Sequence, residues 1–178
     1  RESEELDKRL KEIAKDIRDK LDEIRRENEK TAKEIEDTIR EIERDNERID
    51  REMERRGGGG EEVERRMREA KRRHDKILKD IEDRIRTLER KHDEILKEIR
   101  REIKRVEEEL REREKERDDK RFKDVIRRLE EELKKLLKRA EEEIRDSKRH
   151  LRELLKKVEK VIRESKANLD RTLKKLRD

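Results

Sequence analysis

Three polar residue types recur in pairs, and each pair has the same spacing, i and i+18. The pairs are Asn28 with Asn46, His74 with His92, and Ser147 with Ser165. Amide, imidazole and hydroxyl side chains can exchange hydrogen bonds, move protons in catalysis or bind a metal. We therefore take these six residues as the candidate functional residues and ask which kind of site explains them best.

A hydrolase would need a serine activated by a neighbouring histidine. It would also need an accessible nucleophile and backbone N–H groups that stabilise the oxyanion. A duplicated site inside a narrow helical bundle has no cleft and no spare backbone donors. We therefore expect no enzyme activity and no catalytic residues.

A metal site is the second possibility. Residues 89–92, Glu-Arg-Lys-His, match the Glu-x-x-His pattern of di-iron helical bundles. The matching residues before His74 are Lys-Arg-Arg, which contain no carboxylate. Cysteine is absent, so thiolate metal sites and disulfides are excluded. We expect neither a metal nor a cofactor.

Long helices must position these side chains. All four glycines lie at 57–60, proline is absent, and apolar residues recur at steps of three and four. This pattern predicts helices over about 3–56, 61–117 and 120–177, with a glycine linker at 57–60 and a turn at 118–120. We expect Asp119 in that turn to cap the third helix. The inward-facing stripes run from Leu6 to Met53, from Val63 to Leu110 and from Phe122 to Leu176.

The predicted fold class is all-α, an elongated antiparallel three-helix bundle of long, nearly straight helices. Five turns of an ideal helix take about 18 residues, so the spacing of the polar pairs favours straight helices over a supercoil. Each helix would be about 80 Å long. Each apolar stripe is narrow, as suits a bundle with a wet outer surface. We expect a single domain over residues 1–178.

The polar residues are predicted to meet in two layers. In antiparallel neighbours, residues at one level share the same sum of residue numbers, and the Asn–His and His–Ser pairs both obey this rule. The first polar layer then contains Asn28, His92 and Ser147, and the second polar layer contains Asn46, His74 and Ser165. Buried polar groups cost free energy unless they are hydrogen-bonded, so such layers select one helix register. Thr31, Thr38 and Thr172 are candidates to extend the layers.

Composition and charge argue against several partners. The chain has 60 basic and 55 acidic residues, a net charge of +5 and one aromatic residue, Phe122. Both charge signs alternate along the chain, whereas nucleic-acid-binding proteins cluster their cations and often interleave aromatics. No apolar run is long enough to span a membrane. We expect no nucleic acid, no membrane and no required partner. The predicted state is a monomer, which could form homo-oligomers by helix exchange through the glycine linker.

The first residues, Arg-Glu-Ser-Glu-Glu-Leu, lack the apolar core of a signal peptide. A start at Arg1 rather than Met predicts a processed chain. We expect a soluble protein that would be cytoplasmic in a bacterial host, and the sequence does not identify a natural location.

These features together resemble de novo designed helical bundles of the parametric coiled-coil type with buried hydrogen-bond networks. The resemblance rests on the 18-residue units, the Ile and Leu stripes, the Glu, Lys and Arg surface, and helices free of Gly and Pro. It implies a structural scaffold without natural biochemical activity, whose polar layers specify helix pairing. The alternative that it implies is a binding or pH-responsive module, either a hetero-oligomer component or a switch gated by His74 and His92.

Gly57–Gly60 departs from the designed style, because four glycines form a generic flexible linker. We therefore hypothesise that the first helix was once a separate chain that was later tethered to the other two. A natural charged helix or coiled-coil rod is a further alternative, and it leaves the matched polar layers unexplained.

Overall fold

The structure is a computed structural model that describes residues 2–55 and 60–177. These residues form three helices and no strand: α1 (Glu2–Arg55), α2 (Glu61–Glu116) and α3 (Lys120–Arg177). The three helices pack against one another, which confirms the predicted all-α three-helix fold. The predicted glycine linker at 57–60 lies outside the described residues, except for Gly60.

Asp119 caps α3 as its residue type predicts. Its Oδ1 atom accepts a hydrogen bond from the backbone N–H of Arg121 at 3.1 Å. Its carbonyl oxygen accepts one from the backbone N–H of Lys123 at 3.0 Å. An N-cap aspartate satisfies helix N–H groups in this way, so the short connection between α2 and α3 has a defined end.

The chain divides into two compact units, and each contains a part of all three helices. The first unit comprises Arg1–Asn28 and Leu88–Arg149, and the second comprises Glu29–Thr87 and His150–Asp178. The first polar layer belongs to the first unit and the second polar layer to the second unit. The single domain over 1–178 stays a prediction.

In the first unit α1 and α2 are antiparallel. Arg9 pairs with Glu109 at 2.8 Å, and Lys20 contacts Glu102 at 3.5 Å, so residue numbers rise along α1 as they fall along α2. The core of this unit is apolar and contains the following residues: Leu6, Leu10, Ile13, Ile17, Leu21, Ile24, Ile95, Ile99, Ile103, Val106, Leu110, Phe122, Ile126, Leu129, Leu133, Ala140 and Ile144.

The second unit is built on the same pattern. Its buried apolar residues are Ile35, Ile39, Ile42, Ile49, Val63, Met67, Ala70, Ile85, Leu151, Val158, Ile162 and Leu169. Every buried apolar residue of the described chain lies on one of the predicted stripes, and none of its large apolar residues is exposed. The apolar residues of each stripe, about one per turn, are thus buried by packing between the helices.

Candidate functional site

Ser147 connects the residues of the first polar layer. Asn28 donates a hydrogen bond from Nδ2 to Ser147 Oγ, and this oxygen lies 3.5 Å from Nδ1 of His92. His92 is fully buried and Asn28 is buried, whereas Ser147 is half-buried. Because the amide donates to the hydroxyl oxygen, the serine proton is available for Nδ1, and the imidazole proton then belongs on Nε2.

Ser165 has the same place in the second polar layer. Asn46 Nδ2 donates to Ser165 Oγ at 2.9 Å, and this oxygen lies 3.2 Å from Nδ1 of His74. It also lies 3.1 Å from Asn46 Oδ1, so the single hydroxyl proton has two acceptors within reach. Ser165 and His74 are both buried. The serine is again the residue that contacts both others.

The sequence also contains a signal for the serine–asparagine contacts that the antiparallel rule does not use. Both Asn–Ser pairs are separated by 119 residues. A constant difference of residue numbers, rather than a constant sum, is the signature of parallel neighbours. Within each unit, therefore, α1 and α3 run in the same direction, and each serine of α3 faces an asparagine of α1.

A carboxylate beside each histidine was not among the predicted site residues. Asp45 Oδ2 lies 3.4 Å from Nε2 of His74 and 3.1 Å from the guanidinium of Arg73. The contact with His74 lacks the alignment of a hydrogen bond, since Nε2 has no hydrogen-bond partner among the described residues. The Asp45 side chain is only 14% exposed, so its charge acts on the ring through little solvent.

The matching positions of the first layer contain Glu27, one repeat before Asp45, and Lys91, one repeat after Arg73. Glu27 forms an ion pair with Lys91. Nε2 of His92 is buried and has no hydrogen-bond partner in the described part of the chain. The longer side chain of Glu27 therefore pairs with Lys91, whereas the shorter side chain of Asp45 contacts the imidazole of His74.

Burial lowers the pKa of His74 and of His92 below the ordinary value of 6.5. At His74, contact with Asp45 opposes this effect, while Arg73 adds to it. At His92, the charge of Glu27 opposes it and that of Lys148 adds to it. Both imidazoles are therefore neutral at neutral pH, which leaves Nδ1 able to accept the serine proton.

Two of the threonines do not extend the layers as expected. The hydroxyls of Thr38 and Thr172 donate to carbonyl oxygens of their own helices, at Glu34 (2.8 Å) and Asn168 (2.9 Å). A threonine hydroxyl in a helix easily reaches the carbonyl one turn earlier, and this local bond wins over a contact across the bundle. Thr31 is buried.

Ser165, His74 and Asp45 lie in the order of a hydrolytic triad, although the contact between Asp45 and His74 is not a hydrogen bond. However, Ser165 is 4% exposed and His74 is 0% exposed, so both groups are shielded from solvent by the described residues. Within the described residues, no group of three His, Asp or Glu side chains is placed to hold a metal ion. The arrangement can therefore exchange hydrogen bonds among asparagine, serine and histidine, and at His74 it places the Asp45 carboxylate beside the ring.

None of the described helices has the length and apolar character needed to cross a bilayer. No protein-family model matches the chain, and no curated protein matches it. The chain is similar to a solved structure described as a computationally designed three helix bundle, at 22% identity and a TM-score of 0.40. That similarity covers 98% of this chain and 85% of the other.

Proposed function

We propose that this protein is a designed structural scaffold without natural biochemical activity, in which the two polar layers specify helix pairing and register. One observation carries the proposal: two Asn–Ser–His groups, one repeat apart on every helix, have the same hydrogen-bond connectivity. The sequence resemblance to designed bundles supports the designed origin.

The physical basis is the cost of an unpaired polar group. A buried donor or acceptor that loses its partner costs about 1–3 kcal/mol. A slip of one helix by one or two turns would place the asparagines, histidines and serines against Ile and Leu. A slip by the full 18-residue repeat would still match one layer and would leave the other unpaired. Register is therefore set by two layers more firmly than by one.

The test is to replace both layers with apolar residues (N28L, N46L, H74L, H92L, S147A and S165A). Replacing satisfied buried polar groups by apolar ones is often neutral or stabilising, so the melting temperature should stay equal or rise. The specificity of helix pairing and register should be lost. This loss would be seen as several species in sedimentation and as duplicated peaks in ¹H–¹⁵N spectra. A matched variant that lacks only the second layer should remain a single species. A six-residue variant with one sharp set of peaks would contradict the proposal.

We also propose that the chain is a monomer. The described surface has no exposed large apolar side chain to bury against a second copy. Sedimentation equilibrium should return the chain mass of 22.2 kDa. A concentration-dependent mass would instead support helix exchange.

A second candidate function is an acid-responsive module, and the burial of the two histidines favours it. His74 faces Asp45 of α1, Arg73 and Asp75 of α2, and Ser165 of α3. Protonation turns Nδ1 into a donor, so the ring can no longer accept the serine proton. His92 faces Glu27 of α1, Glu89 and Asp93 of α2, and Ser147 and Lys148 of α3.

The sign of the pH effect follows from the lowered pKa values. The unfolded histidines bind protons more readily than the folded ones, so stability is complete above pH 6.5. It falls as the pH drops below that value and levels off below the folded pKa values. The free energy of unfolding should thus decrease between pH 8 and pH 5. H74Q/H92Q should flatten this dependence, and H150Q, at an exposed position, should not. An unchanged slope in H74Q/H92Q would exclude this function.

A further inference from the structure

A row of cations follows the solvent-facing side of α3 in the second unit. We name it the basic stripe, and it consists of Lys156, Lys160, Arg163, Arg171 and Lys174. All five residues are exposed, and their steps of three, four and eight place them on one helix face. That face lies opposite the buried residues Leu151, Val158, Ile162 and Leu169. The position left between Arg163 and Arg171 on this face is occupied by Ala167.

The charges of the basic stripe are not neutralised by ion pairs within the part of the chain that the structure describes. None of the five residues forms an ion pair with any residue that the structure describes. The nearby Asp170 is paired with Lys71 of α2. Glu153 and Glu164 are exposed at the edge of the stripe. The face therefore presents five cations without ion pairs against three acidic residues, of which Asp170 is already paired.

The stripe has the dimensions of a phosphate-binding surface. From Lys156 to Lys174 the stripe spans about 27 Å along the helix axis. A DNA duplex carries about 16 phosphate charges over that length, distributed around its circumference, so the row of cations faces several phosphates. Long Lys and Arg side chains at steps of one turn can follow a line of phosphates without reading bases.

We propose that the basic stripe binds the phosphate backbone of double-stranded DNA without sequence preference. A single strand is a poorer match, because the stripe has no aromatic side chain on which bases could stack. A membrane is also a poorer match, because the apolar face that an interfacial helix inserts is buried here in the core of the unit. The row of unpaired cations is complementary in charge to the phosphate backbone of a duplex.

This proposal departs from the expectation of no nucleic-acid partner. That expectation rests on the alternation of charge signs along the chain. A helix separates residues that alternate in sequence, because positions three and four apart share a face. The acidic residues of α3 are thereby displaced from the centre of this face, and the cations collect there.

The test is fluorescence anisotropy with a labelled 20-base-pair duplex at several salt concentrations. We expect binding at 20 mM salt that weakens with added salt, with a log–log slope of about −4 if all five cations contact phosphates. K156Q/K160Q/R163Q should bind at least tenfold more weakly at 20 mM salt. Its binding should also depend less on salt, with a log–log slope of about −2.

K8Q/K15Q/R26Q is the matched control, since it removes three exposed cations without ion pairs from α1 in the first unit. It should bind as the parent does. A167K fills the gap in the stripe and should strengthen binding and steepen the slope by about 0.9. Circular dichroism checks that each variant is folded.

Three results with the duplex would overturn the proposal. They are equal losses in the two triple variants, no binding at 20 mM salt, and an A167K variant that binds as the parent does. Vesicles with anionic lipid form the last arm, and we expect them to bind less tightly than the duplex at equal anionic charge. Preference for the vesicles would assign the stripe to a membrane surface and contradict the proposal.

Discussion

The two polar layers contain the same residue types at the same spacing, yet their polar atoms are satisfied differently. In the second layer, Ser165 is buried, and its Oγ lies 3.2 Å from the histidine Nδ1 and 3.1 Å from the asparagine Oδ1. In the first layer, Ser147 is half-buried, and its Oγ lies 3.5 Å from Nδ1 of His92. There, Asn28 Oδ1 is buried without a hydrogen-bond partner among the described residues. The second layer is the more completely bonded of the two.

The flanking carboxylates differ as well. Asp45 lies 3.4 Å from Nε2 of His74, whereas Glu27, in the matching position, pairs with Lys91. The glutamate side chain is longer than the aspartate side chain by one methylene group. Repeating the layer residues therefore repeats the hydrogen-bond connectivity, but the electrostatic environment of each histidine depends on its charged neighbours.

The largest difference should come from removing the serine of each layer. S165A should lower the free energy of unfolding by about 2–4 kcal/mol, because it leaves groups of the half-buried Asn46 and the buried His74 unpaired. S147A should cost about 1–2 kcal/mol, because the longer contact with His92 contributes less. Guanidinium denaturation at pH 8 measures both values.

T87A is the control for these two variants, since the exposed Thr87 hydroxyl bonds only to the Asp83 carbonyl of its own helix. Its effect should stay within about 0.5 kcal/mol. A loss for S147A that equals or exceeds that for S165A would reverse the ranking of the two layers.

A second, smaller difference should appear when each carboxylate is neutralised. D45N should lower the pKa of His74 further, because it removes the negative charge that contacts the ring and favours the imidazolium. E27Q should lower the pKa of His92 by less, because Glu27 acts on His92 through its charge alone. NMR titration of the ring protons measures both, with H150Q used to assign the third histidine.

The D45N change also has a predicted effect on stability. A lower folded pKa for His74 widens the pH range in which unfolding takes up a proton. The loss of unfolding free energy from pH 8 to pH 5 should thus be larger in D45N than in the parent. An equal or smaller loss would show that Asp45 does not act on His74.

The smallest effect is expected from E27D, which gives the first layer the carboxylate length of the second. The shorter side chain should leave Lys91 and approach Nε2 of His92, as Asp45 approaches His74. The pKa of His92 should therefore rise relative to the parent in the same NMR titration. A lower or unchanged value would mean that side-chain length does not explain the difference between the layers.

Most of the fold could be predicted from the sequence, because local periodicity determines it. Steps of three and four placed Ile17, Ile99 and Leu133 in the core, and the turn chemistry of Asp119 marked the start of α3. Both signals depend only on neighbours along the chain.

The site could be predicted less completely. Residue types and spacing indicated the six polar residues, but not that each serine would contact both of its layer partners. The constant offset of 119 residues between α1 and α3 is present in the sequence, but the Asn–Ser contacts become evident only when the helices are assembled. The roles of Asp45 and Glu27 depend on side-chain reach at the edge of a stripe, which periodicity does not describe.

A high-resolution crystal structure at pH 8 would test the two layers most directly. It should place each serine Oγ within hydrogen-bond distance of its asparagine Nδ2 and near its histidine Nδ1 in both layers. Of the two histidines, only His74 should have a carboxylate, that of Asp45, next to its ring. Histidine or serine side chains turned towards solvent, or layers whose members lie out of reach of one another, would contradict this account.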